Sequence, residues 1–408
     1  MYKQRSFHFL WIGQTLANSG DLFYIVGIIS FLYKITGSAT LMALVPFIIT
    51  FSRFLGGIIA PGIMDRFYLK TVLVFSQLGK TALFFALTAY LMTLSEPDSL
   101  YFIYSLIGLI AFLDGWATPA RNSMLPRLVK KEELVKANGF VSVVDQSVQL
   151  GGWPIGGILI ATFNGTFLIM LTLILFIIST VMMALIQDRN GNQKERSVSS
   201  TNKWDSVKGG WVTIWRTPSL KTVALMDLID AITDVVWIAA ILYIYVEDVL
   251  HKSEAWWGYI NSSFFGGLIL GGLVSLKGES IMMQRLHIGV FGGTLLVGVF
   301  TLLFGLSTIP LVSLIISVMV GVATQIKMIS QQTVIQLNTS DNLLPKVFSS
   351  RDAILTGAFG LSSLIFGYLA ETFGVQAVFV VAATLLTISG IWAYTRKEYL
   401  KPVEHTKH

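Results

Sequence analysis

The chain of 408 residues contains no cysteine, which removes disulfides, thiolate nucleophiles and cysteine-held metals from consideration. Histidine is scarce as well. His8, His251, His287, His405 and His408 fall at the ends of apolar runs, between them or in the tail, with neither metal-ligand spacing nor a catalytic partner. Charge is thin: 13% of the residues are Asp, Glu, Lys or Arg, where a soluble domain carries about 25%. Apolar residues fill the space, at 54% of the chain and a mean hydropathy of +0.69. That composition belongs to a polytopic membrane protein, and nothing in it calls for a metal, a cofactor or a nucleic acid. Met1 to Phe9 is short and basic, and Trp11 to Tyr33 follows without a small-residue cleavage site, so the first apolar run reads as a retained span.

A crossing needs about 20 apolar residues. The sequence offers twelve such runs, near 9–33, 40–63, 72–94, 100–120, 138–162, 166–186, 222–245, 256–276, 288–307, 310–331, 353–373 and 375–394. The joints Phe163 to Gly165 and Ser307 to Pro310 are so tight that their neighbours must run antiparallel. An even number of spans puts both termini on one side. Of the 29 Lys and Arg, Lys34 and Lys252 lie opposite the termini, Arg53, Lys80 and Lys327 lie inside spans, and all others share the face of the termini. The positive-inside rule therefore predicts cytoplasmic termini, and the net charge of +6 is an orientation signal. The opposite loops lean acidic, with Glu96, Asp98, Glu247, Asp248, Glu254 and Glu371.

The longest connection divides the chain into an N-terminal six-helix bundle over 1–186, a cytoplasmic linker over 187–221, a C-terminal six-helix bundle over 222–395 and a tail over 396–408. In the linker Trp204, Val207, Trp211, Ile214 and Trp215 recur at helical spacing. This predicts an amphipathic helix among the headgroups, with Lys208 and Arg216 towards anionic lipid.

Nine ionisable residues sit inside the apolar runs: Asp21, Arg53, Lys80, Asp114, Asp145, Asp227, Asp230, Asp234 and Lys327. Each costs at least about 2.5–3.5 kcal/mol at the bilayer centre, so together they imply a polar path through the protein. Asp21 stands twelve residues beyond Phe9, and Arg53 twelve before Asp65. That is roughly 18 Å into each span, so an Asp21–Arg53 pair is geometrically open, and protonating Asp21 would free Arg53. Asp227, Asp230 and Asp234 recur at i, i+3, i+7 and share one helical face. Three crowded carboxylates can keep a proton near neutral pH; Asp234 lies deepest, Asp230 is intermediate, and Asp227 reads as solvated.

Ser142, Asp145, Gln146, Gln149 and Trp153 follow one another at helical spacing in the fifth span. With Asn18, Gln77, Lys80, Asn261 and Gln325 they are the expected wall of a substrate cavity. Asp114 and Lys327, in the cytoplasmic third of their spans, read either as gate charges or as structural partners of loop residues. Gly79-Lys80-Thr81 has the ending of a phosphate-binding loop, but Val74 occupies the glycine position and the segment is a span, which argues against an ATP-driven pump.

Between the second and third spans the chain reads Pro61-Gly62-Ile63-Met64-Asp65-Arg66-Phe67-Tyr68-Leu69-Lys70. This resembles the loop signature of the major facilitator superfamily, a Gly followed by Asp-Arg and basic residues. Pro61 replaces the first Gly, and Tyr68 and Leu69 replace a Gly and a basic residue. In such a loop Asp65 caps a helix end or pairs with a basic residue, while Arg66 and Lys70 stay at the headgroups.

The stretch from Pro119-Ala120-Arg121-Asn122 to Pro126-Arg127-Leu128-Val129, with Trp11-Ile12-Gly13-Gln14 and Gly20-Asp21, resembles one branch of the superfamily. That branch holds macrolide exporters, siderophore exporters and lysophospholipid transporters. Gly151-Gly152-Trp153-Pro154-Ile155-Gly156-Gly157 is similar to the Gly-Pro signature of proton-driven exporters, one residue out of its spacing.

The resemblance covers nearly the whole chain. It implies an all-α membrane protein of twelve helices in two six-helix bundles, with the substrate site at the midplane between them. It further implies a monomeric exporter of the cell (inner) membrane that exchanges protons for an amphiphilic or hydrophobic compound such as a drug, macrolide or siderophore. Asp21, Arg53, Asp230 and Asp234 would carry the coupling, and Asp65, Arg66, Lys70, Asp114, Arg121 and Lys327 the gating. The alternative is a lysophospholipid transporter or facilitator without proton coupling.

Overall fold

A computed structural model describes residues 5–36, 39–93, 100–163, 165–187, 203–237, 239–253 and 255–401. Glu96, Asp98, Glu254, His405, His408 and the 188–202 stretch of the linker lie outside the described residues. Every regular element among those described is helical. The order is α1 (Arg5–Thr36), α2 (Ala39–Arg66), α3 (Leu69–Thr93), α4 (Leu100–Leu128), α5 (Leu134–Phe163), α6 (Gly165–Ala184), α7 (Lys203–Arg216), α8 (Pro218–Thr233), α9 (Ala239–Ile244), α10 (Ala255–Lys277), α11 (Glu279–Gln284), α12 (Leu286–Leu306), α13 (Pro310–Leu337), α14 (Leu344–Phe373) and α15 (Val375–Thr395).

Apolar length explains most of these helices, because a backbone in lipid must satisfy its own hydrogen bonds. Hydroxyls inside the spans obey the same demand by bonding one turn back, as Thr88 does to the Phe84 carbonyl at 2.8 Å and Thr172 to Leu168 at 2.9 Å. Ten helices among the described residues are long and apolar enough to cross a membrane, and one broken pair raises the number to eleven. The run expected at 138–162 is α5, which has the length but carries Asp145, Gln146 and Gln149 and is too polar to join them by composition.

The broken pair is the seventh expected span. α8 ends at Thr233, a 3-10 turn follows over Asp234–Trp237, then α9, then a π turn over Tyr245–Val249. The two parts, Pro218–Trp237 and Ile241–Val249, are bent by 45°.

By contacts the chain forms two compact units. The first gathers Met1–Lys130, Ser147–Trp211 and Asp341–Ser350, and the second Lys131–Gln146, Val212–Ser340 and Arg351–His408. Tyr24, Phe84 and Phe176 interlock edge-to-face in the core of the first, with Phe84 and Phe176 centroids 5.2 Å apart. In the second, Tyr245 stacks on Phe304 at 4.7 Å and its hydroxyl donates to the Phe304 carbonyl at 2.6 Å. Large apolar side chains such as Phe75, Phe85, Ile174, Leu303 and Ile391 are exposed on the helices, as lipid contact requires.

Both units bring two helices into backbone contact through a pair of glycines. A Cβ on Gly56 of α2 would collide with the Phe112 carbonyl of α4, and one on Gly115 with the Arg53 carbonyl. Gly267 of α10 and Gly321 of α13 meet in the same way against the Val318 and Phe264 carbonyls.

Candidate functional site

In the first unit four helices deliver four charges to one point. Asp21 of α1 and Lys80 of α3 are buried, and Lys80 is only 1% exposed. Its Nζ lies 2.6 Å from Asp21 Oδ1 and donates a hydrogen bond to Asp114 Oδ1 of α4 at 3.1 Å. Arg53 of α2 places Nη2 2.5 Å from Asp114 Oδ2 and 3.5 Å from Asp21 Oδ2. The ammonium also lies 4.8 Å from the centroid of the Phe176 ring. Gly20 makes room for that ring, since a Cβ there would overlap it. The glycine contact between α2 and α4 sets Arg53 beside Asp114.

The expected Asp21–Arg53 pair is therefore one edge of a tetrad whose tighter edges are Lys80–Asp21 and Arg53–Asp114. Asp114 corrects its expected position. α4 continues through Pro119 to Leu128, so Asp114 is central in the helix and not in its last third. Lys80 corrects likewise: it is an ion-pair partner in the core, not part of an open wall.

In the second unit α8 and the turn that follows it carry three carboxylates with three different fates. Asp227 is 2% exposed and accepts both arms of Arg351, from Nε at 2.5 Å and Nη2 at 3.0 Å. The solvated position expected for it is thus corrected. Arg351 was hidden in the sequence because it stands beside Asp352 at the rim of an apolar run, where charge is ordinary. Asp230 and Lys327 pair at 2.9 Å and are both buried; among the described residues Lys327 holds this internal pair and no loop residue. Asp234 differs from both. Its side chain is exposed at the break after α8 and has no ion pair or hydrogen bond among the described residues, while its backbone N–H donates to the Asp230 carbonyl.

Of the expected cavity wall, Gln77 and Gln325 are buried, and Gln325 packs where a Cβ on Gly271 of α10 would strike it. Asn18 accepts from Gln14 Nε2 at 2.8 Å, and Asn261 donates to the Trp257 carbonyl at 2.9 Å. Asp145, Gln146 and Gln149 are half-buried on α5, and Trp153 is exposed. Pro154 lies inside α5, whose Gly152 and Gly156 pack on Leu22 and Val26 of α1, next to Asp21.

Of the loop-motif residues, Asp65 pairs with Lys346 at 2.9 Å; Arg66 is exposed, and Lys70 and Arg121 are half-buried. Gly210 of α7 packs against the same start of α14, where a Cβ would collide with the Lys346 carbonyl and the Ser350 hydroxyl. In the second unit Asn138 of α5 donates to Thr333 at 3.1 Å and to Gln336 at 2.7 Å, and Lys136 pairs with Glu279 at 3.0 Å.

Residues 10–336 match the family model described as Major Facilitator Superfamily. Over 400 residues the chain is 30% identical to the uncharacterised MFS-type transporter YfmI of Bacillus subtilis (strain 168), with 98% of each chain covered. It is 25% identical to the multidrug efflux pump Tap of Mycolicibacterium fortuitum, over 71% of this chain and 70% of that one. Among solved structures, a bacterial homologue of the iron transporter ferroportin in an outward-facing state superposes with a TM-score of 0.76 at 16% identity, covering 96% of this chain and 99% of that one. At that identity the likeness is one of fold.

Proposed function

The chain belongs to the Major Facilitator Superfamily of multi-pass membrane transporters, which are not enzymes, and from that premise we propose a proton-coupled exporter of an amphiphilic or hydrophobic organic compound. The observation that carries the proposal is the tetrad of Asp21, Arg53, Lys80 and Asp114, two acids and two bases held in the middle of four membrane helices. Such a group is neutral as a whole, and with Asp21 and Lys80 buried and Arg53 partly exposed it is held at modest cost only while every charge is paired. A proton arriving on Asp21 removes one acid, leaves Lys80 with Asp114 alone, and gives the cluster a net positive charge. That charge favours the arrangement of helices that admits water, and loss of the proton favours the dry one. Proton occupancy and conformation are coupled in this way.

In this reading α5 serves as the twelfth span and both termini are cytoplasmic, in keeping with the distribution of Lys and Arg. Export is supported by the relative named as a multidrug efflux pump. The test is transport into everted membrane vesicles from cells expressing the chain, scanned over a panel of amphiphilic dyes. An acid-inside pH gradient should drive dye uptake, and Asp21→Asn should reduce it to the background of empty vesicles. Uptake that persists unchanged when the gradient is collapsed overturns proton coupling.

A further inference from the structure

Two glutamines next to the tetrad have no use in the coupling reading. Gln14 of α1 and Gln77 of α3 are 8% and 3% exposed, yet Gln14 Oε1 and Gln77 Nε2 have no hydrogen-bond partner among the described residues. Orphaned buried amide atoms are rare, because each gives up its hydration for nothing.

Two contacts fix their place. Lys80 meets Asp21, and one turn on Phe84 meets Tyr24 with ring centroids 5.8 Å apart, so α1 and α3 step in the same direction. One turn back from Asp21 stands Asn18, and one turn back from Lys80 stands Gln77; these amides share a level about 4.5 Å from the ion pair, towards the helix starts. Gln14 lies one turn further on the same face of α1 and donates from Nε2 to Asn18 Oδ1 at 2.8 Å. The acceptor left on Gln14 and the donor left on Gln77 therefore bound one patch beside Asp21. On the far side of Asp21 the rings of Tyr24, Phe84 and Phe176 interlock. Phe7 and Leu10, buried on the same face of α1 before Gln14, close the near end. An enclosed patch that offers an amide oxygen, an amide N–H and a carboxylate suits water, which settles where about three polar partners converge. Beside the Lys80 ammonium a metal ion would be repelled, and no group of three His, Asp or Glu that could hold one occurs among the described residues.

We propose that Gln14, Asn18 and Gln77 hold a small cluster of bound waters against Asp21, and that these waters take the Asp21 proton on its way to the cytoplasm. When the protonated carboxyl gives up its proton, the O–H bond breaks with its electron pair left on Asp21, and the proton joins a water oxygen as hydronium. Gln14 Oε1 accepts a hydrogen bond from that hydronium, and Lys80 holds the restored carboxylate. Proton and substrate then have separate routes, a refinement that rests on the exporter reading above.

The waters are tested by X-ray hydroxyl-radical labelling of purified full-length protein, which oxidises side chains beside bound water even where bulk solvent is excluded. Met183 of α6 is 1% exposed and packs on Gly13, next to Gln14, so it is the reporter; Met226, buried in the second unit, reports general loosening. Met183 should be oxidised in wild type and at least about fivefold more slowly in the double variant Gln14→Leu with Gln77→Leu, with Met226 alike in both. The route is tested in everted vesicles. Each single variant should slow gradient-driven dye uptake at least about tenfold, while Gln14→Leu keeps dye–dye exchange, which needs no net proton movement, near the wild-type rate. Gln77→Asn retains an amide and should recover part of the uptake. Thermal melts report folding; should the double variant not fold, the single variants carry both measurements.

Wild-type Met183 that stays unlabelled, or that labels equally in the folded variants, overturns the water site and leaves the coupling reading standing. Driven uptake that survives in the folded variants overturns the route, the proton then leaving past Arg53, whose side chain is 42% exposed. Equal loss of uptake and exchange in Gln14→Leu overturns it too, as the mark of a merely structural residue. Labelling as described, with wild-type uptake indifferent to the gradient, upholds the water site and removes proton coupling.

Discussion

Replacing Lys80 with Met isolates the electrostatics of the first unit. Met is unbranched and of similar length, so it can occupy the slot beside Phe176 with little loss of packing. What changes is charge. The ammonium lies 2.6 Å from Asp21 and 3.1 Å from Asp114, and at an effective dielectric of about 20 the attraction to Asp21 alone is on the order of 6 kcal/mol. Part of this is returned because the ammonium no longer has to be desolvated, which leaves a net destabilisation of about 3–5 kcal/mol for a broken buried pair.

Arg53 cannot take over, since it is already 2.5 Å from Asp114 and only 3.5 Å from Asp21. Adding Asp21→Asn removes the stranded carboxylate and leaves a neutral Arg53–Asp114 pair. The double variant should therefore recover about 2–3 kcal/mol relative to the sum of the singles. Denaturant unfolding of the purified protein, run as a double-mutant cycle, measures that coupling. Additive single effects would refute the claim that Lys80 and Asp21 compensate each other.

Four further outcomes follow from the geometry. Arg351→Met strands Asp227, which is 2% exposed, and should cost about 3–5 kcal/mol in the same unfolding assay; Asp227→Asn added to it should restore part of the loss. The Asp65–Lys346 pair is partly exposed, at 33% and 17% of the side chains, so Lys346→Ala should change stability by about 1 kcal/mol or less, while a larger loss in thermal melts would mean the pair bears more than its contact suggests. Gly210→Val should lower stability by about 1–3 kcal/mol, because the collision with Lys346 and Ser350 outweighs the gain in helix propensity; a neutral melt would show that α7 can leave α14 freely. Gly115→Leu should force α2 from α4, separate Arg53 from Asp114 and abolish gradient-driven dye uptake in vesicles, even in molecules that remain folded and inserted.

Apolar run length and isolated in-span charge are strong one-dimensional signals, and they were legible. Asp21, Arg53, Lys80 and Asp114 stand out because lipid tolerates few such residues. Their pairing was not legible, since depth arithmetic treats each span as a rod of known ends. Extension of α4 to Leu128 moved Asp114 to mid-helix, and the contact of Gly56 and Gly115 selected Arg53 as its partner. The break after Thr233 had no sequence mark: neither Pro nor Gly occurs between Asp230 and Trp237, and Val235 and Val236 read as ordinary membrane residues. A basic residue at the edge of an apolar run looks like an orientation charge, and only its two-armed contact with Asp227 separates Arg351 from its neighbours. Helical spacing places Gln77 and Gln325 on a face without saying what covers that face, and both are buried.

Proton movement itself is the most direct test. Purified protein in liposomes loaded with a pH-sensitive dye should acidify or alkalinise the lumen when a gradient of a transported amphiphile is imposed, with protons moving against the amphiphile. Asp21→Asn should abolish the signal. Amphiphile flux with a silent dye would contradict the account, as would an unchanged signal in Asp21→Asn.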